Sequence, residues 1–324
     1  MEAEWELERA RVLAELSVHC TTQEHDQYTE SDHAVWETAL ARNEELVARY
    51  GGAIHPAHLE GLLALELPRR RVPRIEELNG RLSGTNWRTV CVDGDIPMDA
   101  YVRLMSVSVF PVSRALRRPE HIDYAPAPDL VHDVLGHLPM LLSAEHGEFH
   151  RRFGAVMSHA VPGVLDGELH AANRHLSTLK SSPESSEIDV LAAEASLRRV
   201  RDALQGDASE LTHLARMYLW SIGFGLVGKP EERCVVGAAL LSSPREFRAA
   251  IHESAELVPY SLDVIHHDIE FSDLQKRYFL ARDFDHMEDV LTLYESGMHY
   301  RGGSVRTSEV RALRRPQGRV RRHA

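Results

Sequence analysis

Two histidines five residues apart constrain this chain more than any other feature. His132 and His137 lie in residues 126–139, which read PAPDLVHDVLGHLP. On a regular α-helix each residue advances about 100°, so side chains five positions apart point away from each other. Gly136 would remove this difficulty, because a glycine just past a helix end adopts the left-handed cap conformation and turns the chain. We therefore predict that a helix ends here and that both imidazoles converge on one point.

Converging neutral imidazoles favour a site for divalent iron, zinc or copper. The alternative is two ordinary histidines near a helix end, since the chain contains 20 histidines. The three cysteines, Cys20, Cys91 and Cys234, are far apart and lack CxxC spacing. That usage excludes a thiolate zinc site and a disulfide framework, and it is typical of a reduced, intracellular protein.

The charge distribution indicates which classes of binding partner to expect. The net charge is −12, yet residues 301–324 carry eight arginines against one glutamate, so the rest of the chain carries about −19. An acidic body argues against nucleic acid as the main partner, and the Arg-rich tail is predicted to be disordered. The acidic N-terminus and the absence of a long apolar run predict a cytoplasmic protein without membrane contact.

Apolar residues recur at helical spacing over most of the 324 residues. Helices are predicted at 4–17, 31–50 with Ser31-Asp32 as N-cap, 56–67, 73–82, 97–105, 144 to beyond 153, 188–204, 209–226, 244 onward and 284–296. Short strands are predicted at 88–94, 107–110, 261–269 and 275–282, and residues 160–186 are mixed. The predicted fold class is mainly α, with minor short strands. A glycine inside a helix costs about 1 kcal/mol relative to alanine, so Gly223 indicates a close backbone approach or a frayed helix end.

Residues 125–139 resemble the iron-binding segment of the pterin-dependent aromatic amino acid hydroxylases, the phenylalanine, tyrosine and tryptophan hydroxylases. That segment reads roughly Pro-Glu-Pro-Asp, two residues, then His-Glu-x-x-Gly-His. Other stretches are similar to the family in the same order: residues 73–79, 87–129 without a gap, 218–226 and 237–243. The resemblance runs from about residue 30 to 297, which implies the family's mainly helical catalytic fold.

The resemblance also implies a domain organisation. Residues 1–29 would form an N-terminal helical extension, 30–297 the catalytic domain with an insertion at about 160–206, and 298–324 a basic disordered tail. The tail lacks the heptads of the family's tetramer helix, so we expect a monomer or homodimer.

Carried over by position, the resemblance implies a complete set of site residues. His132 and His137 would be the iron ligands and catalytic centre. Arg117 would bind the substrate carboxylate, supported by Asp129, and Ser242 would contact both the substrate and His132. The positions that would line the aromatic-ring pocket are Pro128, Phe224 and Ala239, the last replacing a family glycine. The positions that would contact a tetrahydropterin are Gly94, Tyr101, Asp133 and Tyr218.

Several positions depart from the family pattern. The third iron ligand of the family is a glutamate, and Gly223 stands in its place with no acid within a helical turn. Asp133 is one methylene shorter than the family's glutamate and the loop 92–97 is more acidic, which argues against pterin use. The insertion adds about 46 residues relative to the animal enzymes and contains four candidate ligands, His170, His175, Glu187 and Glu194.

The resulting hypothesis is a non-haem iron oxygenase or oxidase that acts on an aromatic amino acid or a derivative. It would use Fe(II) and O2. The resemblance also implies a tetrahydropterin, but Asp133 and the acidic loop argue against it. Three outcomes are open for the missing carboxylate. The insertion supplies another acid; water or chloride fills the position, as in two-His iron halogenases of a different fold; or metal chemistry is lost and a non-catalytic amino-acid-binding protein remains.

Overall fold

A computed structural model describes residues 2–94, 96–182, 184–204, 208–270 and 274–302. Most of the predicted tail, residues 303–324, lies outside the described residues. The helices are α1 Glu2–Glu15, α2 Glu30–Tyr50, α3 Pro56–Ala64, α4 Ile75–Leu82, α5 Met98–Ser106, α6 Leu138–Leu141, α7 Ala144–Met157, α8 Asp166–Ser181, α9 Glu187–Leu204, α10 Glu210–Tyr218, α11 Ala238–Leu241, α12 Pro244–Ile251 and α13 Phe284–Ser296. Two π-helices, His132–His137 and Leu219–Gly223, directly precede α6 and follow α10. The mainly helical fold class is confirmed.

Six short strands form two small sheets in the described part of the chain. They are β1 Arg88–Val92, β2 Val109–Ser113, β3 Leu226–Val227, β4 Cys234–Val235, β5 Glu256–Pro259 and β6 Arg277–Ala281. β1 and β2 pair in parallel, with Val92 opposite Ser113. The second sheet has the order β4-β3-β6-β5, in which only the β3–β4 pair is antiparallel.

The structure differs from the predicted elements at several positions outside the site. Thr29, not Ser31, caps α2: its side chain accepts from the Asp32 amide while the Asp32 carboxylate accepts from the Thr29 amide, a reciprocal capping box. The mixed stretch 160–186 contains α8. The strand predicted at 261–269 is instead a 3₁₀ helix, Leu262–His266, because the Ser261 side chain caps the Asp263 amide and starts a helical turn.

One large core surrounds the first π-helix. Its largest fully buried side chains include Trp36, Trp220 and Phe153. α5 and α7 pack on each other beside this core, and Gly154 permits the contact because a Cβ there would lie 2.9 Å from the Val102 carbonyl oxygen. No helix in the described residues is long and apolar enough to cross a bilayer.

The predicted insertion forms a helical hairpin, α8 and α9, with a small core of its own. Leu176, Ala193 and Leu197 are each 3% exposed and contact one another. Lys180 and Glu194 form an ion pair between the two helices at 3.0 Å. The chain enters and leaves the hairpin at nearly the same place, because a Cβ on Gly163 would lie 3.0 Å from the Ser209 Cβ.

Candidate active site

His132 and His137 converge because they lie one turn apart on a π-helix. The i→i+5 hydrogen-bond pattern of a π-helix brings residues five positions apart to nearly the same face, whereas an α-helix points them about 140° apart. Their Nε2 atoms are 3.1 Å apart. The predicted left-handed cap at Gly136 is wrong: positive φ angles in the described glycines occur at 94, 228 and 302. The convergence was predicted, but its cause is a local widening of a continuous helix.

Gly136 is needed for a different reason, which is close packing. A Cβ at this position would lie 2.5 Å from the Ala238 carbonyl oxygen, a distance that real Cβ atoms do not adopt. The glycine therefore lets α11 approach the first π-helix backbone to backbone. That approach places Ser242, at the end of α11, beside His132.

Ser242 fixes the tautomer of His132. The Ser242 hydroxyl donates its single hydrogen to the Ala238 carbonyl at 2.8 Å. Its oxygen must therefore accept from His132 Nδ1, which lies 3.0 Å away. The proton is on Nδ1 by this inference, so the lone pair of Nε2 points toward His137.

Both imidazoles are held neutral. Burial lowers the pKa of His132 to about 4, with Arg117 acting in the same direction and Asp129 opposing it. Burial also lowers the pKa of His137 well below its usual range, and the neighbouring histidines add to the effect. For metal–nitrogen bonds of about 2.1 Å, adjacent ligands at right angles lie about 3 Å apart. The 3.1 Å separation of the two nitrogens thus fits a bound divalent metal such as iron.

Arg117 and Asp129 form a buried ion pair next to the histidines. Arg117 Nη2 donates to Asp129 Oδ1 at 2.7 Å and Arg117 Nε donates to Oδ2 at 3.0 Å. Nη1 donates to the carbonyls of Ile122 and Ser242. Burial alone would raise the pKa of Asp129, but the charge and hydrogen bonds of Arg117 outweigh it and lower that pKa. These contacts use four of the five N–H groups of a guanidinium, which leaves one N–H of Nη2 outside them.

A cavity of about 230 Å³ joins these groups. Every predicted site residue lines it except Asp129, which lies behind Arg117. The lining residues predicted from the sequence are His132, His137, Arg117, Pro128, Phe224, Ser242, Ala239, Gly94, Tyr101, Asp133 and Tyr218. The hydroxyls of Tyr101 and Tyr218 are hydrogen-bonded at 2.7 Å, and this contact joins α5 to α10 at the cavity wall. Gly94 has a φ of +72°, the left-handed region that favours glycine.

Gly223 ends the second π-helix and also lines the cavity. A Cβ there would meet only the Leu219 side chain, at an ordinary 3.6 Å, so a Cβ at 223 has room. The close approach predicted at Gly223 instead involves Gly237, whose Cβ would lie 2.5 Å from the Gly223 carbonyl oxygen. The helix predicted to reach residue 226 ends here, and β3 follows.

The hairpin supplies no acid to the cavity among the described residues. None of His170, His175, Glu187 and Glu194 lines it. The carboxylates that do are Asp133, Glu246 and Glu270. The sequence reasoning missed the last two. Glu246 follows Ser242 by four residues, a signal that could have revealed it, whereas Glu270 lies outside any recognised motif.

A cluster of buried histidines near His137, formed by His58, His146 and His150, was also not predicted. The His150 ring lies 5.6 Å from that of His137 and 4.7 Å from that of His146. Burial lowers the pKa of His150 and of His58 to about 3 and places that of His146 well below its usual range. The spacing of four between His146 and His150 was visible, but their proximity to His137 depends on tertiary packing.

The comparisons with known proteins agree with this geometry. The family model for "Biopterin-dependent aromatic amino acid hydroxylase" matches residues 8–164 and 178–306. The phenylalanine-4-hydroxylase of Pseudomonas aeruginosa is 26% identical over 287 residues, which cover 84% of this chain and 87% of the relative. The Chromobacterium violaceum enzyme is 28% identical over 268 residues, covering 82% and 74%.

Solved structures of the Chromobacterium violaceum phenylalanine hydroxylase are similar to this chain over most of its length. The structure with bound iron(III) and oxidized cofactor 7,8-dihydrobiopterin has a TM-score of 0.67 at 25% identity and covers 86% of this chain and 85% of that one. The structure with bound iron and phenylalanine has a TM-score of 0.62 at 26% identity, covering 85% and 86%. The family match spans well over half of the sequence. This chain belongs to the family of biopterin-dependent aromatic amino acid hydroxylases.

Proposed function

We propose that this protein is a non-haem iron monooxygenase that acts on an aromatic amino acid. The observation that carries the proposal is one cavity that holds two facing neutral imidazoles, His132 and His137, together with Arg117. His132 and His137 would hold the metal. Iron and a reduced pterin, when bound, would supply oxygen activation.

Arg117 would bind the carboxylate of the amino acid. Its guanidinium is oriented by Asp129 and by two backbone carbonyls, and a planar donor fork suits a carboxylate. Pro128 and Phe224 line the same cavity as His132, so an aromatic ring between them would lie beside the metal. The phenylalanine in the related Chromobacterium violaceum structure supports this class of substrate.

We further propose that a tetrahydropterin is the reductant. Gly94, Tyr101, Asp133 and Tyr218 line the wall of the cavity, and the related structure with 7,8-dihydrobiopterin supports the assignment. The shorter Asp133 and the acidic loop argued against a pterin, but Tyr101 and the left-handed Gly94 both line the cavity, which supports one.

The ligand set would differ from that of the family at Gly223. Two alternative functions follow from the lack of a carboxylate at this position. Chloride bound there would permit halogenation, and loss of the metal would leave a non-catalytic amino-acid-binding protein.

Anaerobic Fe(II) titration, followed by oxygen uptake with tetrahydropterin and candidate aromatic amino acids, tests the proposal. We expect one iron per chain, and a product that gains one oxygen atom only when iron, pterin and amino acid are all present. His132→Ala should abolish both iron binding and turnover. A product that gains chlorine instead would favour halogenation. Tight amino acid binding in chelator that His132→Ala leaves unchanged, without oxygen uptake in the wild type, would favour the binding protein and overturn the proposal.

A further inference from the structure

We propose that Asp133 is the third protein ligand of the metal and replaces the carboxylate that Gly223 cannot supply. This inference rests on the proposed iron site and identifies its remaining ligand. Among the described residues, His132, Asp133 and His137 form the group of histidine, cysteine and acidic side chains that could hold a metal ion. One potential ligand atom from each lies within 4.8 Å of the other two.

These distances are close to those of a metal complex. With bonds of about 2.1 Å, ligand atoms in an octahedral complex lie about 3.0 Å apart when adjacent and about 4.2 Å apart when opposite. The two imidazole nitrogens already have the adjacent spacing, at 3.1 Å. Because these nitrogens are adjacent, a third ligand must lie about 3.0 Å from at least one of them. The Asp133 oxygen is within 4.8 Å of both, so it needs to move by at most about 1.8 Å to complete the set.

Asp133 is also oriented in the way that a ligand carboxylate requires. Carboxylates that bind metals are themselves held by outer hydrogen bonds. Asp133 Oδ2 accepts from the Ser113 amide at 2.8 Å, and Ser113 ends β2. Ser242 performs the same function for His132. Two of the three proposed ligands are therefore fixed by serines from different elements.

The charge and burial of Asp133 point the same way. The residue is 7% exposed and lies in the first turn of the first π-helix. Two neutral imidazoles leave the full charge of a divalent ion uncompensated in a buried site, and a carboxylate ligand reduces that charge by one. Binding by Asp133 would thus restore the two-histidine, one-carboxylate ligand composition from a different position in the chain.

The other cavity carboxylates fit this function less well. Glu246 Oε1 accepts from the Tyr278 hydroxyl and from the Gln275 amide, which holds it against β6 and the segment before it. Glu270 lies in the loop before Gln275 and donates its own amide to the Gln275 side chain. Neither belongs to the group of converging ligand atoms that includes His132.

Metal titration of four forms of the full chain tests the proposal without measuring turnover. The forms are the wild type, Asp133→Asn, Gly223→Glu and the double variant. Co(II) is titrated into metal-free protein, and both calorimetric affinity and the cobalt d–d absorption are recorded. Asparagine keeps an oxygen that can accept from Ser113. Gly223 has room for a Cβ and lines the cavity. Each variant is therefore expected to fold, and thermal unfolding of the metal-free forms checks this.

We expect Asp133→Asn to weaken cobalt binding by more than about 100-fold, beyond the 10- to 100-fold typical of an outer hydrogen-bonding residue. Gly223→Glu should change wild-type affinity by less than about tenfold, yet restore most of the lost affinity and the d–d intensity in the Asp133→Asn background. The effect of Gly223→Glu on cobalt affinity should thus depend on whether Asp133 is present. Such non-additivity is expected if Asp133 binds the metal itself, and not if Asp133 only hydrogen-bonds to a ligand.

Three results would overturn the inference. These are wild-type affinity and spectrum in Asp133→Asn, equal effects of Gly223→Glu in both backgrounds, or a larger loss in the matched control Glu270→Gln than in Asp133→Asn. If the wild type itself binds no cobalt or iron, the proposed function fails first, and the inference fails with it.

Discussion

The wall of the cavity and the α8–α9 hairpin are both helical, but they are packed in different ways. Around His137 the backbone of one helix touches the backbone of another: a Cβ at Gly61 would lie 2.0 Å from the Pro139 carbonyl oxygen, and one at Gly136 would lie 2.5 Å from that of Ala238. In the hairpin, a Cβ at Gly167 would meet nothing within 4 Å. Small changes should therefore be costly at the cavity and tolerated in the hairpin.

The same contrast holds for charge. The Arg117–Asp129 side chains are 1% and 7% exposed, whereas those of Lys180 and Glu194 are 17% and 22% exposed. The cavity side also holds the neutral histidines 58, 146 and 150. Polar groups in the cavity wall are therefore tied to buried partners or to a fixed protonation state, whereas the hairpin keeps its charges near water.

Acidification should produce the largest effect on the metal-free protein. His58, His146 and His150 stay neutral in the folded state, with pKa values lowered to about 3 or well below the usual range. The unfolded chain takes up protons below pH 6.5 while the folded state does not, so stability is lost as pH falls from 6.5 toward 3. Each imidazole should lower the free energy of unfolding by about 2 kcal/mol at pH 5.

Urea denaturation of the metal-free protein between pH 7 and 5 measures this effect. In the metal-free protein His132 and His137 are also held neutral, so His58→Leu removes one of several such imidazoles. The variant should lose about 2 kcal/mol less stability than the wild type between pH 7 and 5. An unchanged pH dependence in that variant would show that His58 is not held neutral.

Removal of one partner of the buried ion pair should have the next largest effect. Arg117→Leu leaves the Asp129 carboxylate buried without its counter-charge, which should lower the free energy of unfolding by about 3–5 kcal/mol. The matched change in the hairpin, Lys180→Leu, should lower it by at most about 1 kcal/mol. Denaturant titrations of both variants at pH 7.5 compare the two pairs directly. Similar losses would remove the distinction between cavity and hairpin.

Adding a single methyl group should also distinguish the two kinds of packing, with a smaller change in the free energy of unfolding. Gly136→Ala forces its Cβ against the Ala238 carbonyl and should destabilise by about 1–3 kcal/mol or more. It should also displace Ser242 and weaken metal binding. Gly167→Ala lies in open space in the first turn of α8 and should stabilise by up to about 1 kcal/mol. Melting temperatures and cobalt affinities of the two alanine variants test this, and equal melting temperatures would contradict it.

Deletion of the hairpin should have the smallest effect on the site. The closeness of Gly163 and Ser209 allows residues 164–208 to be replaced by a short Gly-Ser linker. Because none of the described hairpin residues lines the cavity, cobalt affinity should stay within about threefold of the wild type. A tenfold loss, in a variant whose near-ultraviolet circular dichroism is preserved, would show that the hairpin supports the site.

The sequence predicted the residues of the site better than the backbone that positions them. The pairing of His132 with His137 was predicted from their spacing, and the grouping of Arg117 and Ser242 with them from the resemblance to the family. The π-helix did not, because the i→i+5 pattern is less favourable locally than an α-helix and depends on packing against α11. The helix α8 was missed because its apolar face covers only a small separate core, so its periodicity is weak. The cluster of buried histidines joins residues from α3 and α7, and no local sequence pattern predicts a contact between two helices so far apart in the chain.

The π-helix has an evolutionary consequence. It differs from an α-helix by one extra residue in the turn, so the loss of a single codon between His132 and His137 would restore regular helix geometry. The two histidines would then be four residues apart on one face of an α-helix, where their imidazoles would still be neighbours. A pair of histidines could therefore change from a spacing of five to a spacing of four in one genetic step and still face a common point.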